Sequence, residues 1–228
     1  MLERAVAPEW LDDLPPADRR ARRSRRDLRL LNRIMGHAVI IRRALRGQLR
    51  KAHASFVEIG AGDGELLLRV VGLGGGNEVV LVDRQQTVPA ETVAAYRDRG
   101  FTPRTVVADV FEWLRQETHT FDAVVANLFL HHFEDHALAD LLALVARRTN
   151  LFVACEPRRA GLALAGSRML GLLGCNDVTR HDAVISVRAG FRAAELSALW
   201  PADNGWTLAE RRGGLFSHLF VARRAEAQ

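Results

Sequence analysis

Three glycines at alternate positions, Gly60, Gly62 and Gly64, follow the apolar run Ser55-Phe-Val-Glu-Ile59 and precede a helical stretch from Glu65 to Val71. Such a turn lets the backbone come close to a ligand, and the first N–H groups of the helix face whatever sits in it. A dinucleotide site wants Gly-x-Gly-x-x-Gly or Ala, so that a pyrophosphate can rest on the helix N-terminus. Here the third small position is Glu65, bulky and negative, and Glu58 stands just before the glycines. Both acids disfavour a pyrophosphate. Three histidines further along could move protons: the adjacent pair His131 and His132, and His181 in the polar stretch Asn176-Asp-Val-Thr-Arg-His-Asp182. With an ordinary pKa near 6.5, each is mostly neutral at pH 7 and suited to take the proton of a hydroxyl. The other reading of the pair is a cap on the loop before a helix over 134–147.

The elements that must position these residues read as alternating strands and helices, which predicts a doubly wound parallel sheet built from βαβ units. Strands are expected at 56–59, 78–82, 104–108, 121–126 and 151–155, with helices at 89–99 and 135–147. Two further strand-like runs, 206–211 and 217–222, flank Gly213-Gly214 and predict an antiparallel hairpin. In such a sheet ligands bind outside the carboxyl ends of the strands. Those ends carry Glu58, then Asp83 with Arg84 after it, then Asp109-Val110, then Asn127, then Glu156-Pro157. Each residue also has a plain structural reading: Asp83 as a turn residue, Asp109 as a helix N-cap, Glu58 as a paired charge.

The pattern Glu58-x-Gly60-x-Gly62-x-Gly64, with the acids and Asn127 at successive strand ends, resembles the class I S-adenosylmethionine-dependent methyltransferases over roughly residues 50–224. The resemblance implies a Rossmann-like fold and a cofactor with an amino-acid zwitterion and a sulfonium cation, for which negative charge is welcome. It places Glu58, Gly60, Ala61, Gly62, Gly64, Asp83, Arg84, Asp109, Val110 and Asn127 around S-adenosylmethionine, with Asp83 on the ribose hydroxyls and Asp109-Val110 near the adenine amine. Asn127-Leu-Phe-Leu departs from the Asn/Asp-Pro-Pro-Tyr/Phe of amino-group methyltransferases, and the strand lacks the Pro-Cys of cytosine-carbon enzymes. The run Asn127 to Phe133 is instead similar to the small-molecule branch, including quinone and natural-product enzymes. A small aromatic or lipid-like acceptor follows from this resemblance, methylated most readily on oxygen, with His131, His132 or His181 as base. No metal is assigned. The rivals are an RNA or protein methyltransferase and a non-catalytic cofactor-binding protein of the same fold.

The chain has 228 residues, 48% hydrophobic and 26% charged, enough for one α/β domain with an extension. The expected division is an N-terminal arm and amphipathic helix over 1–50, serving as lid or side wall, and a methyltransferase domain over 51–228. No run reaches the roughly 20 apolar residues of a membrane span, and the N-terminus lacks a signal-peptide layout. Cys155 and Cys175 read as reduced core thiols, so a cytoplasmic protein is expected. The net charge of +5 is carried by arginine, Lys51 being the only lysine, and seven arginines fall between Arg19 and Arg29. That density suits a solvated helix face, or phosphate or an anionic membrane surface, but it lacks the aromatics that stack on bases. Ser24-Arg-Arg-Asp27 has the form of a capping box. One helix is therefore predicted from there through the apolar stripe Leu28, Leu31, Ile34, Ala38, Ile41, Leu45 and Leu49. The apolar run 160–173 is expected to form a helix buried against the sheet; the alternative is the lining of a greasy acceptor cavity.

Overall fold

Alternation of β-branched runs with amphipathic segments gives a seven-stranded sheet in the computed structural model, which describes residues 3–50, 53–72, 77–202 and 205–225. In chain order the elements begin with α1 (Trp10–Asp13), α2 (Arg19–Ile34) and α3 (His37–Ala44). The alternating core follows: β1 (Ser55–Ile59), α4 (Glu65–Val70), β2 (Glu78–Asp83), α5 (Ala90–Asp98), β3 (Thr102–Val107), α6 (Val110–Gln116), β4 (Ala123–Asn127), α7 (Asp135–Arg148) and β5 (Leu151–Pro157). The chain closes with α8 (Gly161–Arg168), α9 (Asp177–Ala189), α10 (Glu195–Leu199), β6 (Trp206–Arg212) and β7 (Ser217–Arg224). The strand order is β3-β2-β1-β4-β5-β7-β6. The first five strands are parallel, while β7 runs antiparallel to both β5 and β6. This is the expected Rossmann-like sheet with its C-terminal hairpin.

Strands buried on both faces need apolar residues at consecutive positions. β1, β4 and β5 meet that demand, and two cores fill the two faces. On one face Val57, Ile59, Val124 and Phe152 pack with α6, α7 and the Trp200–Phe220 cluster; on the other Phe56, Val79 and Val125 pack with Leu67, Tyr96, Ile41 and Leu45. Strand order reverses between β1 and β4, so the loops after these two strands diverge and open a cleft at their carboxyl ends.

The N-terminal third departs from expectation in two ways. Ser24 and Asp27 do not cap a helix; Asp18 does, accepting from the Arg20 N–H, and α2 runs straight through the two residues. Ser24 and Asp27 are buried and bond across to α9, where Thr179 Oγ1 lies 2.9 Å from Ser24 Oγ and Asp27 Oδ2 accepts the Asn176 N–H at 2.8 Å. A local capping pattern has been outcompeted by a tertiary polar contact. Nor does the helix continue to Leu49: Gly36, at φ +70°, breaks it, and α3 leaves at a new angle. The apolar stripe divides accordingly. Leu31 packs with Leu170 and Cys175, Ile41 and Leu45 join the sheet core, and Ile34 stays exposed.

Smaller corrections fall at element ends. Phe121 makes only an isolated bridge to Thr149, and β4 starts at Ala123. The 160–173 segment is not buried against the sheet: it forms α8 and a 3-10 turn, with Leu162, Met169, Leu172 and Leu173 exposed. The expected boundary between residues 50 and 51 falls at Lys51, outside the described residues. No helix among the described residues is long and apolar enough to cross a membrane.

Candidate active site

The glycine turn after β1 sits at the point where strand order reverses. Gly60, Gly62 and Gly64 all have positive φ, at +66°, +55° and +70°. At Gly60 a Cβ would come within 2.3 Å of the Phe129 ring, so the turn lies directly against the loop after β4. At Gly62 a Cβ would meet nothing within 4 Å, because this part of the turn faces open space. The turn is therefore wedged on one side and bare on the other, as a backbone cradle for a ligand must be. Asp83, at the end of β2, fixes it: one carboxylate oxygen accepts the Gly62 N–H at 2.8 Å and the other accepts the Gln85 N–H at 2.8 Å. Burial raises the Asp83 pKa, and these two N–H groups partly offset the rise.

Three cavities meet at this cleft, and Leu28 and Leu128 line all of them. Leu128, directly after β4, has φ +52°, a strained conformation for a non-glycine residue of the kind that collects at functional sites. The first cavity, about 160 Å³, is lined by Glu58, the turn from Gly60 to Asp63, Asn127 and the arginines Arg25 and Arg29 of α2. Arg29 pairs with Asp63 and, at 3.5 Å, with Glu65. Two fully buried acceptors here have no hydrogen-bond partner, Glu58 Oε2 and Asn127 Oδ1. Burial, and then the nearby charge of Asp63, hold the Glu58 carboxyl well above the usual carboxylate range. A buried carboxyl oxygen without a partner beside an amide oxygen likewise without one offers two acceptors to a cationic donor.

The third cavity, about 570 Å³, continues from Gly62 along Asp83, Arg84, Asp109, Val110 and Phe129 to the N-terminal arm at Glu9 and Asp12. Asp109 is the N-cap of α6, its Oδ1 accepting the N–H groups of Phe111 and Glu112. Ala61 is buried beside the turn, its N–H bonded to the Val82 carbonyl across to β2. The second cavity, about 370 Å³, lies on the other side of Leu128 and is almost wholly apolar, lined by Leu28, Leu31, Met35, Ala163, Leu170 and Phe216 among others. All ten expected cofactor residues thus lie at the carboxyl ends of β1 to β4.

The histidines are placed less uniformly. His131 is buried between two carboxylates, with Nδ1 2.8 Å from Glu156 Oε2 and Nε2 3.2 Å from Glu9 Oε1. Burial alone would lower its pKa, but the bonds and charges of Glu156 and Glu9 prevail and raise it to about 9. Held as an imidazolium with both nitrogens engaged, it has no free lone pair, which argues against the expected role as base. Glu156 also accepts the N–H groups of Phe129 and Leu130, so it anchors the whole loop after β4. Ligand atoms of Glu9, His131 and His132 fall within 4.8 Å of one another, near enough for a metal ion, yet the ion pairs already account for this convergence.

His132 is half-buried, lines the third cavity and has Nδ1 3.3 Å from Asp12 Oδ2. His181 lines none of the three cavities; it stacks on Trp10 with ring centroids 3.7 Å apart and bonds Asp182, which accepts the N–H groups of Trp10 and Leu11. Its place is in the clasp that holds the arm. Arg159, after β5, is buried and bonded to the Gly190 carbonyl and Glu195. One residue escaped the sequence reading: His37, fully buried, lines the apolar cavity with Nε2 2.8 Å from Ser217 Oγ and Nδ1 without a partner. Burial lowers its pKa to about 4, so it is neutral. Its only sequence signal was a polar residue beside an apolar stripe.

Comparison with known proteins agrees with this geometry. Residues 56–150 match the family described as a methyltransferase domain. None of the curated proteins compared with the sequence matches it. Among solved structures, magnesium protoporphyrin IX methyltransferase from Synechocystis PCC 6803 with bound S-adenosylhomocysteine is 15% identical, with a TM-score of 0.59 over 88% of this chain and 86% of that one. The plantazolicin methyltransferase, in complex with a triazolic desmethylPZN analog and S-adenosylhomocysteine, is 10% identical with a TM-score of 0.65 over 93% of this chain and 92% of that one. Mitomycin 7-O-methyltransferase is 19% identical with a TM-score of 0.60; the match covers 94% of this chain and 60% of that one. At these identities the likeness is one of fold. The fold is the Rossmann-like one these methyltransferases share, and the stretch matched by the methyltransferase-domain family, residues 56–150, contains the glycine cradle.

Proposed function

We propose that this enzyme methylates a hydroxyl of a small hydrophobic acceptor, aromatic or lipid-like, in the cytoplasm. The observation that carries this reading is the apolar cavity of about 370 Å³ that meets the glycine turn at Leu28 and Leu128. Structural relatives include enzymes named for O-methylation of a small natural product and for methylation of a porphyrin. S-adenosylmethionine supplies an activated methyl, and the chain's task is to hold an acceptor in line with it and remove a proton. In this reading Glu58 and Asn127 face the cofactor's amino-acid end, Asp83 bonds its ribose, and Asp109 and Val110 border its adenine. Arg84 and Ala61 complete the wall. Residues 3–50 serve as lid and side wall: Glu9 and Asp12 border the third cavity, and Leu28 and Leu31 wall the second.

His132, oriented by Asp12, is the base we assign, since it keeps an unengaged nitrogen; His37 is the alternative because its unpartnered Nδ1 borders the acceptor cavity. His131 and His181 hold the loop and the arm. The test is transfer of labelled methyl from S-adenosylmethionine to a panel of hydrophobic phenols and long-chain hydroxyaromatics, with bulk RNA and a protein mixture run alongside. Label is expected in the organic extract. His132→Ala should lower kcat by about 100- to 10,000-fold with S-adenosylhomocysteine affinity retained. Label confined to RNA or protein would overturn the reading, and a loss seen only in His37→Gln would move the base to His37.

A further inference from the structure

The apolar cavity opens through a rim that is itself apolar. Met169 is 58% exposed, Leu172 80%, Leu173 54% and Ile34 58%, and all four line the cavity. Large side chains left in water around one opening make a contiguous patch, which on a soluble surface marks an interaction site. The flanks of the patch are positive. Arg168 immediately precedes Met169, and Arg33 immediately precedes Ile34. The Arg180 side chain lies 3.3 Å from where a Cβ on Gly171 would sit, and Arg23 donates to the Gly174 carbonyl at 2.9 Å. Arg33, Arg168 and Arg180 form no ion pair with a described residue, whereas Arg23 is paired with Asp27.

We propose that this rim docks on the surface of an anionic lipid bilayer and that the acceptor enters the cavity from the membrane. The inference rests on the reading of the apolar cavity as the acceptor site. Two features single out this occupant. A short 3-10 turn carrying Leu172 and Leu173 at its tip, flanked by arginines, has the layout of an interfacial insertion: apolar side chains enter the acyl boundary while cations meet the headgroups. The same mouth leads to a cavity with almost no polar lining, where a hydrophobic acceptor moves from lipid to protein without crossing water.

The experiment is co-sedimentation of the full chain, without cofactor or acceptor, with vesicles of phosphatidylcholine alone and of phosphatidylcholine with phosphatidylserine. Because it needs no methyl transfer, its failure is distinguishable from failure of the acceptor reading, which the labelled-methyl transfer to hydrophobic acceptors tests separately. Binding to the anionic vesicles is expected at least tenfold tighter than to the neutral ones at low salt, weakening as salt screens the arginines. The double variant Leu172→Asp with Leu173→Asp should lose at least tenfold in partition. Both side chains are exposed, so folding is preserved, and an unchanged melting temperature checks this. Arg168→Glu with Arg180→Glu should abolish the preference for anionic lipid. Absence of wild-type binding, or binding equal in wild type and the leucine variant, would overturn the proposal.

Discussion

The two sides of the cleft at Leu128 are built from different physics. On the side proposed for the cofactor, backbone N–H groups, buried carboxyls and arginines converge on a bare glycine turn; on the side proposed for the acceptor, Leu28 and Leu31 of α2, Met35, and Met169 and the leucines of the turn after α8 surround a cavity with few polar groups, His37 among them. The first is a set of charges held by hydrogen bonds, and the second is an enclosure held by packing. Charged sites respond to pH and to isosteric changes that remove one charge, while apolar ones respond to lost volume. That contrast can be broken by experiment.

The largest effect is expected from Glu156→Gln. Glu156 is buried, pairs with His131 and accepts two backbone N–H groups of the loop after β4. Removing its charge leaves His131 with half its compensation, at a cost of about 3–5 kcal/mol, read by urea melts at pH 7. The pH profile belongs to the same prediction. With His131 raised to about 9, its contribution is complete below its ordinary value near 6.5 and is lost as pH rises through 9. Glu9 and Glu156 are held below the usual carboxylate range by His131 against the opposing effect of burial, so their contribution is lost as pH falls below that range. Melting temperature should therefore decline on the alkaline side through about pH 9, and His131→Gln should remove that limb. His37, lowered to about 4, adds a separate loss as pH falls below about 6.5.

Leu170→Ala probes the other side. It trims a nearly buried side chain that packs with Leu31 and already borders open volume. A cost of about 2 kcal/mol is expected, the low end for such a change, with no alteration of the pH profile. A pH profile shifted as in Glu156→Gln would erase the distinction between the two sides. The smallest effect is Asp109→Ala. Loss of the α6 cap should cost about 1 kcal/mol in stability and only a few-fold in S-adenosylhomocysteine affinity, followed by thermal melts and calorimetry.

The two sides also differed in how far the sequence could show them. The cofactor side is assembled from strand ends, where a strand and its turn fix a residue's position within a few places along the chain; Glu58, Asp83, Asp109 and Asn127 could be placed for that reason. β1 and β2 were located to within one residue at each end because their apolar runs are bounded by turn residues. The acceptor side joins residues far apart in the chain, such as Leu28 with Leu170 and His37 with Ser217, and no local pattern signals these meetings. The Ser24 to Asp27 pattern misled for the same reason: its side chains are used by α9, some 150 residues later. His131 has the sequence setting of a base, but Glu9, from the distant N-terminal arm, engages its second nitrogen.

The central claim, that the glycine turn and the strand-end acids form an S-adenosylmethionine site, is most directly tested by titration calorimetry with S-adenosylhomocysteine on the wild type and on Asp83→Ala. The account predicts one site per chain in the wild type and affinity lowered about 10- to 100-fold in the variant. Asp83 both braces the Gly62 N–H and, in this account, bonds the ribose, and hydrogen bonds to a charged group contribute about 1.5–3 kcal/mol each. Undiminished affinity in Asp83→Ala, or tighter binding of NADH by the wild type, would contradict it.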